Sequence, residues 1–220
     1  MRDRILLYGG KSTALIVYEM LKEKKIRASF VYDEYLKEAY FKSNLIFSNK
    51  KKDLKKFIEL SNKFFVCIGM MDGFLRDYIS NFFISKKLKP MSIISDKSIF
   101  DKSSTHGHGF LAMPNSVVHK HVNIGNNCYL NVNSVIDHES SIGNGVHIMG
   151  SAYVAGRVVI EDHVSIGANA TIFPDIKLGK GSIIGAGSVV KKDVKPGDIV
   201  VGNPAKFLKK NTKMYNLKIF

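Results

Sequence analysis

Val118, Ile124, Leu130, Ile136, Ile142, Ile148, Val154, Ile160, Ile166, Ile172, Leu178, Ile184 and Val190 stand six residues apart, and all are aliphatic. Two positions ahead of each, from Ile124 onward, comes a mostly smaller residue: Val122, Cys128, Ser134, Ser140, Val146, Ala152, Val158, Val164, Ala170, Ile176, Ser182 and Ser188. A helix would space its apolar positions by three and four, and a simple strand by two with no lock at six. A period this short, unbroken from Val118 to Val190, means stacked coils.

The corners carry a second period. Asn126-Asn127, Asn144-Gly145, Asp162-His163 and Lys180-Gly181 recur every eighteen residues. Asn, Asp and Gly tolerate the left-handed backbone angles a sharp corner needs. Three hexapeptides therefore complete one three-sided coil, with the aliphatic residues inside. Successive coils stack about 4.8 Å apart, as paired strands do. Each inward aliphatic contributes roughly 1.5–3 kcal/mol. One coil cannot bury its own inward residues, so the stack stabilises through its neighbours.

The region before about Ile99 has a different rhythm. Arg4 to Tyr8 reads as a strand, Ser12 to Glu23 as a helix with Leu15, Ile16, Tyr18 and Leu21 as its main apolar residues, and Arg27 to Tyr32 as a strand. Asn44 to Phe47 follows as a strand, Lys51 to Ser61 as a helix, Phe64 to Ile68 as a buried strand, Asp72 to about Lys86 as a helix and Met91 to Ile94 as a last strand. Strand–helix alternation of this kind predicts a small parallel α/β domain. Gly9-Gly10 falls where such a sheet binds phosphate, at the first strand–helix turn. The run Gly9-Gly10-Lys11-Ser12-Thr13-Ala14 lacks the full dinucleotide and Walker spacings. It reads as a tight turn offering amides at a helix N-terminus. The division expected is 1–97 for the α/β domain, 98–206 for the coils and 207–220 for a tail.

Length and composition, 220 residues with 45% hydrophobic and 24% charged, suit packed domains and argue against wholesale disorder. No apolar run approaches the roughly 20 residues of a membrane span, and Ile5-Leu6-Leu7-Tyr8 is too short for a signal-peptide core. A cytoplasmic protein without a membrane partner is expected. The net charge of +14 raises nucleic acid as a partner. Its lysines are scattered, however (Lys50, Lys51, Lys52, Lys55, Lys56, Lys86, Lys87), with no basic stripe interleaved with aromatics. Solvated faces and attraction of small anions are the expectation, and no nucleic acid. Cys67 and Cys128 form no metal motif or disulfide framework.

The six-residue rhythm, closed by Val201-Gly202-Asn203-Pro204-Ala205-Lys206, resembles that of the hexapeptide-repeat acyltransferases. In that family the coils wind left-handed, against the usual rule for parallel crossovers. With the α/β region ahead of it, the chain to about Lys209 looks like the sugar acetyltransferases that include the bacillosamine-pathway N-acetyltransferase and the sialic acid O-acetyltransferases. The closest motif is Leu130-Asn131-Val132-Asn133-Ser134-Val135-Ile136-Asp137-His138-Glu139, then Ile142-Gly143, His147 and Ala155-Gly156. The resemblance implies that His138 is the general base and Glu139 its orienting carboxylate. It puts the second histidine, near the acetyl group and acceptor, on His147, a substrate contact on Asn131, and the amide that meets the thioester oxygen on Gly156. Contacts along the coenzyme A arm fall on Gly156, Gly167, Ala168, Gly185, Ala186, Lys192 and Pro204. In the first domain the sugar nucleotide would meet Tyr8, Gly9, Gly10 and Lys11. An acidic nucleobase contact falls on Asp33 or Glu34, and Arg76 belongs to a substrate loop. The family's glycine-rich turn with a histidine is mostly replaced here by Gly10-Lys11-Ser12-Thr13-Ala14, so Lys11 is expected to meet a phosphate.

Spacing supports part of this independently. His138 follows the inward Ile136 by two, so it points outward near a corner, and Gly156, eighteen residues on, takes the same corner of the next coil. A base and a backbone donor one coil apart suit acyl transfer. His147 lies nine residues on, half a coil around, and faces a different groove of its own subunit. The homotrimers usual in the family it resembles imply a site shared across a subunit interface. His163 reads as a turn residue only, while His106 and His108 precede the regular coils and, like His119 and His121, read as surface histidines. Neither cysteine reads as a nucleophile, so direct transfer is expected.

The function implied is N-acetylation, by acetyl coenzyme A, of a 3- or 4-amino-dideoxy sugar carried on UDP, dTDP or GDP, with no metal. The nearest alternative is O-acetylation of a sugar such as sialic acid. From other classes come a zinc β-helix carbonic anhydrase, whose three converging histidines the spacings of His121, His138, His147 and His163 do not reproduce, and a non-catalytic binding protein.

Overall fold

The computed structural model describes residues 3–69, 71–213 and 217. It divides into two compact units: residues up to Gly69 with Tyr78–Ile93, and residues 71–77 with 94–213.

The first unit contains Ile5–Tyr8 (β1), Ser12–Glu23 (α1), Phe30–Tyr32 (β2), Ile46–Ser48 (β3), Lys51–Leu60 (α2) and Lys63–Val66 (β4). The helix Gly73–Ser85 (α3) follows, its residues from Tyr78 onward counting to this unit, and then Lys89–Pro90 (β5). The sheet order is β3-β2-β1-β4-β5, and every pairing is parallel. β1 is central and buried along its length, which is why it reads as a continuous apolar run. α1 has the expected bounds but turns another face inward. Ala14, Val17, Met20 and Leu21 are buried, whereas Leu15 and Ile16 are exposed. The buried residues recur at three- and four-residue steps.

The last strand expected for this domain, Met91 to Ile94, is corrected. β5 lies just before it, paired to β4 and held by Lys89 N–H on Asn62 O and Met91 N–H on Phe64 O. Ile93–Ile94 instead joins a face of the coils, and Ser95 N–H donates to Ala112 O. The coils therefore begin several residues before the expected boundary at 98.

The second unit is the left-handed parallel β-helix. Its two-residue strands stack on three faces. The first runs from Ile99–Phe100 through Val117–Val118, Val135–Ile136, Tyr153–Val154 and Thr171–Ile172 to Val189–Val190. The second runs from Thr105–His106 to Lys177–Leu178. The third runs from Ile93–Ile94 through Tyr129–Leu130 and His147–Ile148 to Asp198–Val201 and an antiparallel closing strand, Lys206–Lys210. Through the regular coils strands pair eighteen residues on, as in Val135 with Tyr153, and the step shortens to sixteen at the end, where Ile183 pairs with Ile199. The aliphatic comb and its smaller companions are buried throughout, forming one continuous core.

All three corners use left-handed residues. Asn127, Gly145, His163 and Gly181 form the foreseen column, with φ of 55, 62, 60 and 66°. His121, Glu139, Arg157 and Asp175 form a second, and Asn115, Asn133, Ser151, Asn169 and Gly187 a third. Glu, Arg and Ser have no preference of their own for the left-handed angle. The stacked ladder on either side imposes their angle, a strain borne by tertiary structure. Among the described residues no helix is long and apolar enough to cross a membrane.

Candidate functional site

His138 leaves the first face just after Ile136 and sits one residue before the left-handed Glu139. That turn folds the Glu139 side chain back, so Oε2 lies 2.9 Å from His138 Nδ1. Glu139 is an acceptor at neutral pH, so Nδ1 carries the proton and Nε2 presents its lone pair. Gly156 lies against the ring. A Cβ there would stand 2.5 Å from His138 Cε1 and 2.6 Å from Nε2. Glycine at this position is what lets the imidazole lie on the backbone of the next coil.

At this point of a corner the ladder uses the N–H on either side, as in Ala155 to Ile172 O and Arg157 to His138 O. The N–H between them, that of Gly156, has no hydrogen-bond partner among the described residues. Because Ala155 and Gly156 are small, the coil beneath His138 is recessed. A cleft of about 370 Å³ opens, bounded by Asp137 and His138 on one side, Phe173 and Pro174 on the other, with Tyr153 and Arg157 flanking. Arg157 is held by Asp175 through two bonds of 2.7 and 2.8 Å. A proton acceptor and a free backbone donor thus share one small, largely apolar cleft. Tyr153, Arg157, Phe173 and Pro174 went unread in the sequence, although counting eighteen from Val135, Glu139, Ala155 and Gly156 reaches them.

The expected coenzyme A residues fall into two groups. Gly167 lies directly under Ala186, with 2.5 Å between its would-be Cβ and Ala186 N, and its own N–H is used by Ile184 O. The Gly185 N–H likewise goes to Val200 O. These glycines give close backbone approach rather than donors. Lys192 and Pro204 line one cavity of about 810 Å³ at the end of the helix, together with Lys191, Lys195, Lys206 and Lys210. Lys210 is paired with Asp198 at 2.5 Å.

His147 belongs to the third face, as its spacing from His138 implied. Its Nε2 lies 3.0 Å from Asn131 Oδ1, its ring meets Tyr129 edge-on, and it is only 3% exposed. The structure brings Asn131 and His147 together, away from the His138 cleft.

Arg76 is a correction. Rather than facing a substrate, it is fully buried in the second unit. Nε donates to Asn127 O at 3.0 Å, Nη2 donates to Gly145 O at 2.9 Å, and the guanidinium lies 4.2 Å from the Tyr129 ring centroid. Asp77 accepts from Asn127 Nδ2 and stands 2.7 Å from His163 Nε2. Gly73 packs its backbone on the Gly145 carbonyl, where a side chain would collide. Residues 71–77 are therefore clamped onto one corner column, and His163 is more than a turn residue. The carbonyls of a coil corner are exposed acceptors, and a planar five-donor group fits them well.

In the first unit Gly9 takes φ +105°, and a Cβ would stand 2.9 Å from Cys67 O. Asp33 is a second correction. It is 8% exposed, and its carboxylate accepts the N–H of Gly10 at 2.8 Å and of Tyr35 at 3.0 Å. It holds the glycine turn through these two N–H groups, while the neighbouring Glu34 is hydrogen-bonded to the Tyr35 side chain. Tyr8 is buried and its phenol is pushed above the usual range by that burial. Lys11 is exposed at the N-cap of α1, with no side-chain cap bond. Both cysteines are buried, and burial pushes the Cys128 thiol up to about 12, so neither is a thiolate at neutral pH. Among the described residues no three His, Cys, Asp or Glu side chains gather as a metal site.

Residues 139–174 match the family model described as bacterial transferase hexapeptide (six repeats), and residues 157–192 match the hexapeptide repeat of succinyl-transferase. No curated protein sequence gives a significant match. The fold is similar to that of PerB from Caulobacter crescentus, solved with CoA and GDP-perosamine: TM-score 0.87, 22% identity, 95% of this chain and 99% of that one. A PerB variant with one histidine replaced by alanine has also been solved with both molecules. WeeI from Acinetobacter baumannii AYE matches at TM-score 0.83 and 25% identity, over 94% of this chain and 100% of that one. The acetyltransferase domain of PglB from Neisseria gonorrhoeae FA1090, in complex with acetyl coenzyme A, matches at TM-score 0.84 and 21% identity, over 94% and 100%. The shared architecture spans both units.

Proposed function

We propose that this chain transfers the acetyl group of acetyl coenzyme A to the 3- or 4-amine of a nucleotide-linked amino-dideoxy sugar, acting in the cytoplasm as a homotrimer. The observation that carries the reading is the His138 corner: a Glu139-oriented imidazole lying on a glycine whose N–H is free. In this reading the amine attacks the thioester carbon while His138 Nε2 takes its proton, and the Gly156 N–H donates to the developing oxyanion. The thiolate of coenzyme A leaves and takes a proton from the imidazolium. With both thiols buried and protonated, the transfer is direct.

The lysine-rich cavity around Lys192 and Pro204 has the charge to hold the phosphates of coenzyme A. The recessed backbone at Gly167, Ala168, Gly185 and Ala186 would let the arm lie along the coils. In the first unit the turn Tyr8-Gly9-Gly10-Lys11, with Glu34, is the candidate seat for the UDP, dTDP or GDP group. Self-association is supported by the outer side of the first face. Ile99, Val117, Val135, Tyr153 and Val189 stand in register there, Ile99 being 64% exposed. His147, held by Asn131, would act in a site shared with a neighbouring copy.

The test is thiol release from acetyl coenzyme A against a panel of UDP-, dTDP- and GDP-linked 3- and 4-amino sugars, with sialic acid as the hydroxyl control. Turnover with one amino sugar is expected. Release with sialic acid alone, or with none of the panel, refutes the reading.

A further inference from the structure

We propose that Asp137, bracketed by His119 and Tyr153, is the positioning residue of the His138 base, and that its charge steadies the imidazolium formed in turnover. This inference rests on the function proposed above. Asp137 Oδ1 accepts the His138 N–H at 2.7 Å and stands 2.9 Å from His119 Nδ1. Oδ2 accepts the Tyr153 hydroxyl at 2.9 Å. His119 precedes Asp137 by eighteen residues, and Tyr153 pairs with Val135 in the following coil. One carboxylate thus ties three successive coils together at the residue just before the base.

The position explains what the bracket does. His138 stands between the inward Ile136 and the left-handed Glu139, where the ladder leaves its N–H without a carbonyl partner. Asp137 takes that N–H, so the main chain on the His138 side of the corner is fixed and the ring stays on Gly156 with Nδ1 on Glu139. His119, read in the sequence as a surface histidine, meets the His138 ring edge-on at 6.3 Å.

The carboxylate also remains ionised. Partial burial works against the charge, but the His138 N–H and the Tyr153 and His119 contacts outweigh it and hold Asp137 below the usual carboxylate range. The charged groups around His138 can be enumerated. Glu139 and Asp137 flank it, His119 and Lys120 come from the preceding coil, and Arg157 and Asp175 from the two that follow. Lys120 is paired with Asp101 at 3.2 Å, and Arg157 with Asp175. Asp137 and Glu139 are left as the carboxylates bonded to His138 itself, one at its N–H and the other at Nδ1.

The full chain, as it assembles, is assayed with the amino sugar it accepts, recording kcat and KM separately across pH. Asp137→Asn keeps the shape and removes the charge. It is expected to lower kcat about 10–100-fold and leave the KM for acetyl coenzyme A within about 3-fold. The acid limb of kcat/KM should move to lower pH once the carboxylate charge is gone. Tyr153→Phe and His119→Gln change exposed side chains, so the fold is expected to survive; each should lower kcat by roughly 3–10-fold, with less than multiplicative effect when combined. A second measurement does not depend on activity: the pH midpoint of the His138 ring resonance in histidine-labelled protein, assigned against His138→Ala. The midpoint should fall in Asp137→Asn. An unchanged midpoint and an unchanged kcat per folded molecule overturn the inference even if the enzyme acetylates its sugar. Conversely, a lowered midpoint in a chain that acetylates no sugar upholds the bracket and refutes the activity.

Discussion

The imidazole of His138 rests on the backbone of Gly156, so closely that a Cβ there would come within 2.5 Å of Cε1. Gly156→Ala must therefore push the ring away from its place between Glu139 and the free N–H. Gly156 takes an ordinary backbone angle, so the fold should survive and the cost should fall on chemistry. A displacement of about 1 Å costs on the order of 10²-fold in rate. Steady-state kcat with an unchanged thermal midpoint checks this; unaltered turnover would mean that the ring's seat does not matter.

His138→Ala should lower kcat by roughly 10²–10⁴-fold with the coils intact, as for a lost general base. Glu139→Gln keeps a side chain of the same shape at the corner but removes the charge on Nδ1, so its loss should be smaller, about 10-fold. Circular dichroism alongside the kinetics separates chemistry from folding. A folded His138→Ala with near-normal kcat would remove the base assignment.

Lys192→Ala and Lys206→Ala should raise the KM for acetyl coenzyme A and leave kcat nearly unchanged, because their cavity shares no lining residue with the His138 cleft and both side chains contribute positive charge to it. Each effect should shrink as salt is added, since exposed charges are screened beyond about 8 Å at physiological ionic strength. A fall in kcat without a change in KM would contradict this role.

Arg76→Leu should behave as a stability variant. It strands the Asn127 and Gly145 carbonyls, each costing about 1–3 kcal/mol when left buried without a donor. The thermal midpoint should drop by several degrees, with KM for the sugar nucleotide unchanged in the remaining folded protein. A raised KM with normal stability would return Arg76 to the substrate.

Asp137 supplies a pH prediction with a definite sign. A carboxylate held below its unfolded value of about 3.9 contributes stability at neutral pH, and loses it only as pH falls through that lowered range. The bracket should therefore be intact from pH 5 upward, within roughly the range of enzyme assays. Pairing of Tyr153 and His119 with Asp137, followed by NMR, should persist to pH 5; loss above that would contradict it.

The comb from Val118 to Val190 was legible because it rests on burial, and burial in a stacked coil repeats with the chain. The same counting put His138 and Gly156 on one corner, which the contact between them bears out. Three features escaped it. The second and third corner columns use Glu139, Arg157 and Ser151, which adopt left-handed angles only because the ladder on either side holds them. Arg76 and Asp33 resembled substrate contacts, since neither an Arg in the first turn of a helix nor an Asp at a strand end carries a sign of its partner. Only the folded chain shows their donors and acceptors used on backbone. Last, the Asp137 bracket draws on residues sixteen and eighteen positions away.

The amino-acid sequence by itself determined the β-helix, its three-sided coil and the corner that His138 and Gly156 share, because a strict period turns residue number into position. Tertiary structure decided which polar groups remain available for chemistry. A hydrogen bond depends on where two atoms meet, and Glu139 on His138, Asp77 on His163 and Asp33 on Gly10 meet only once the corners have turned.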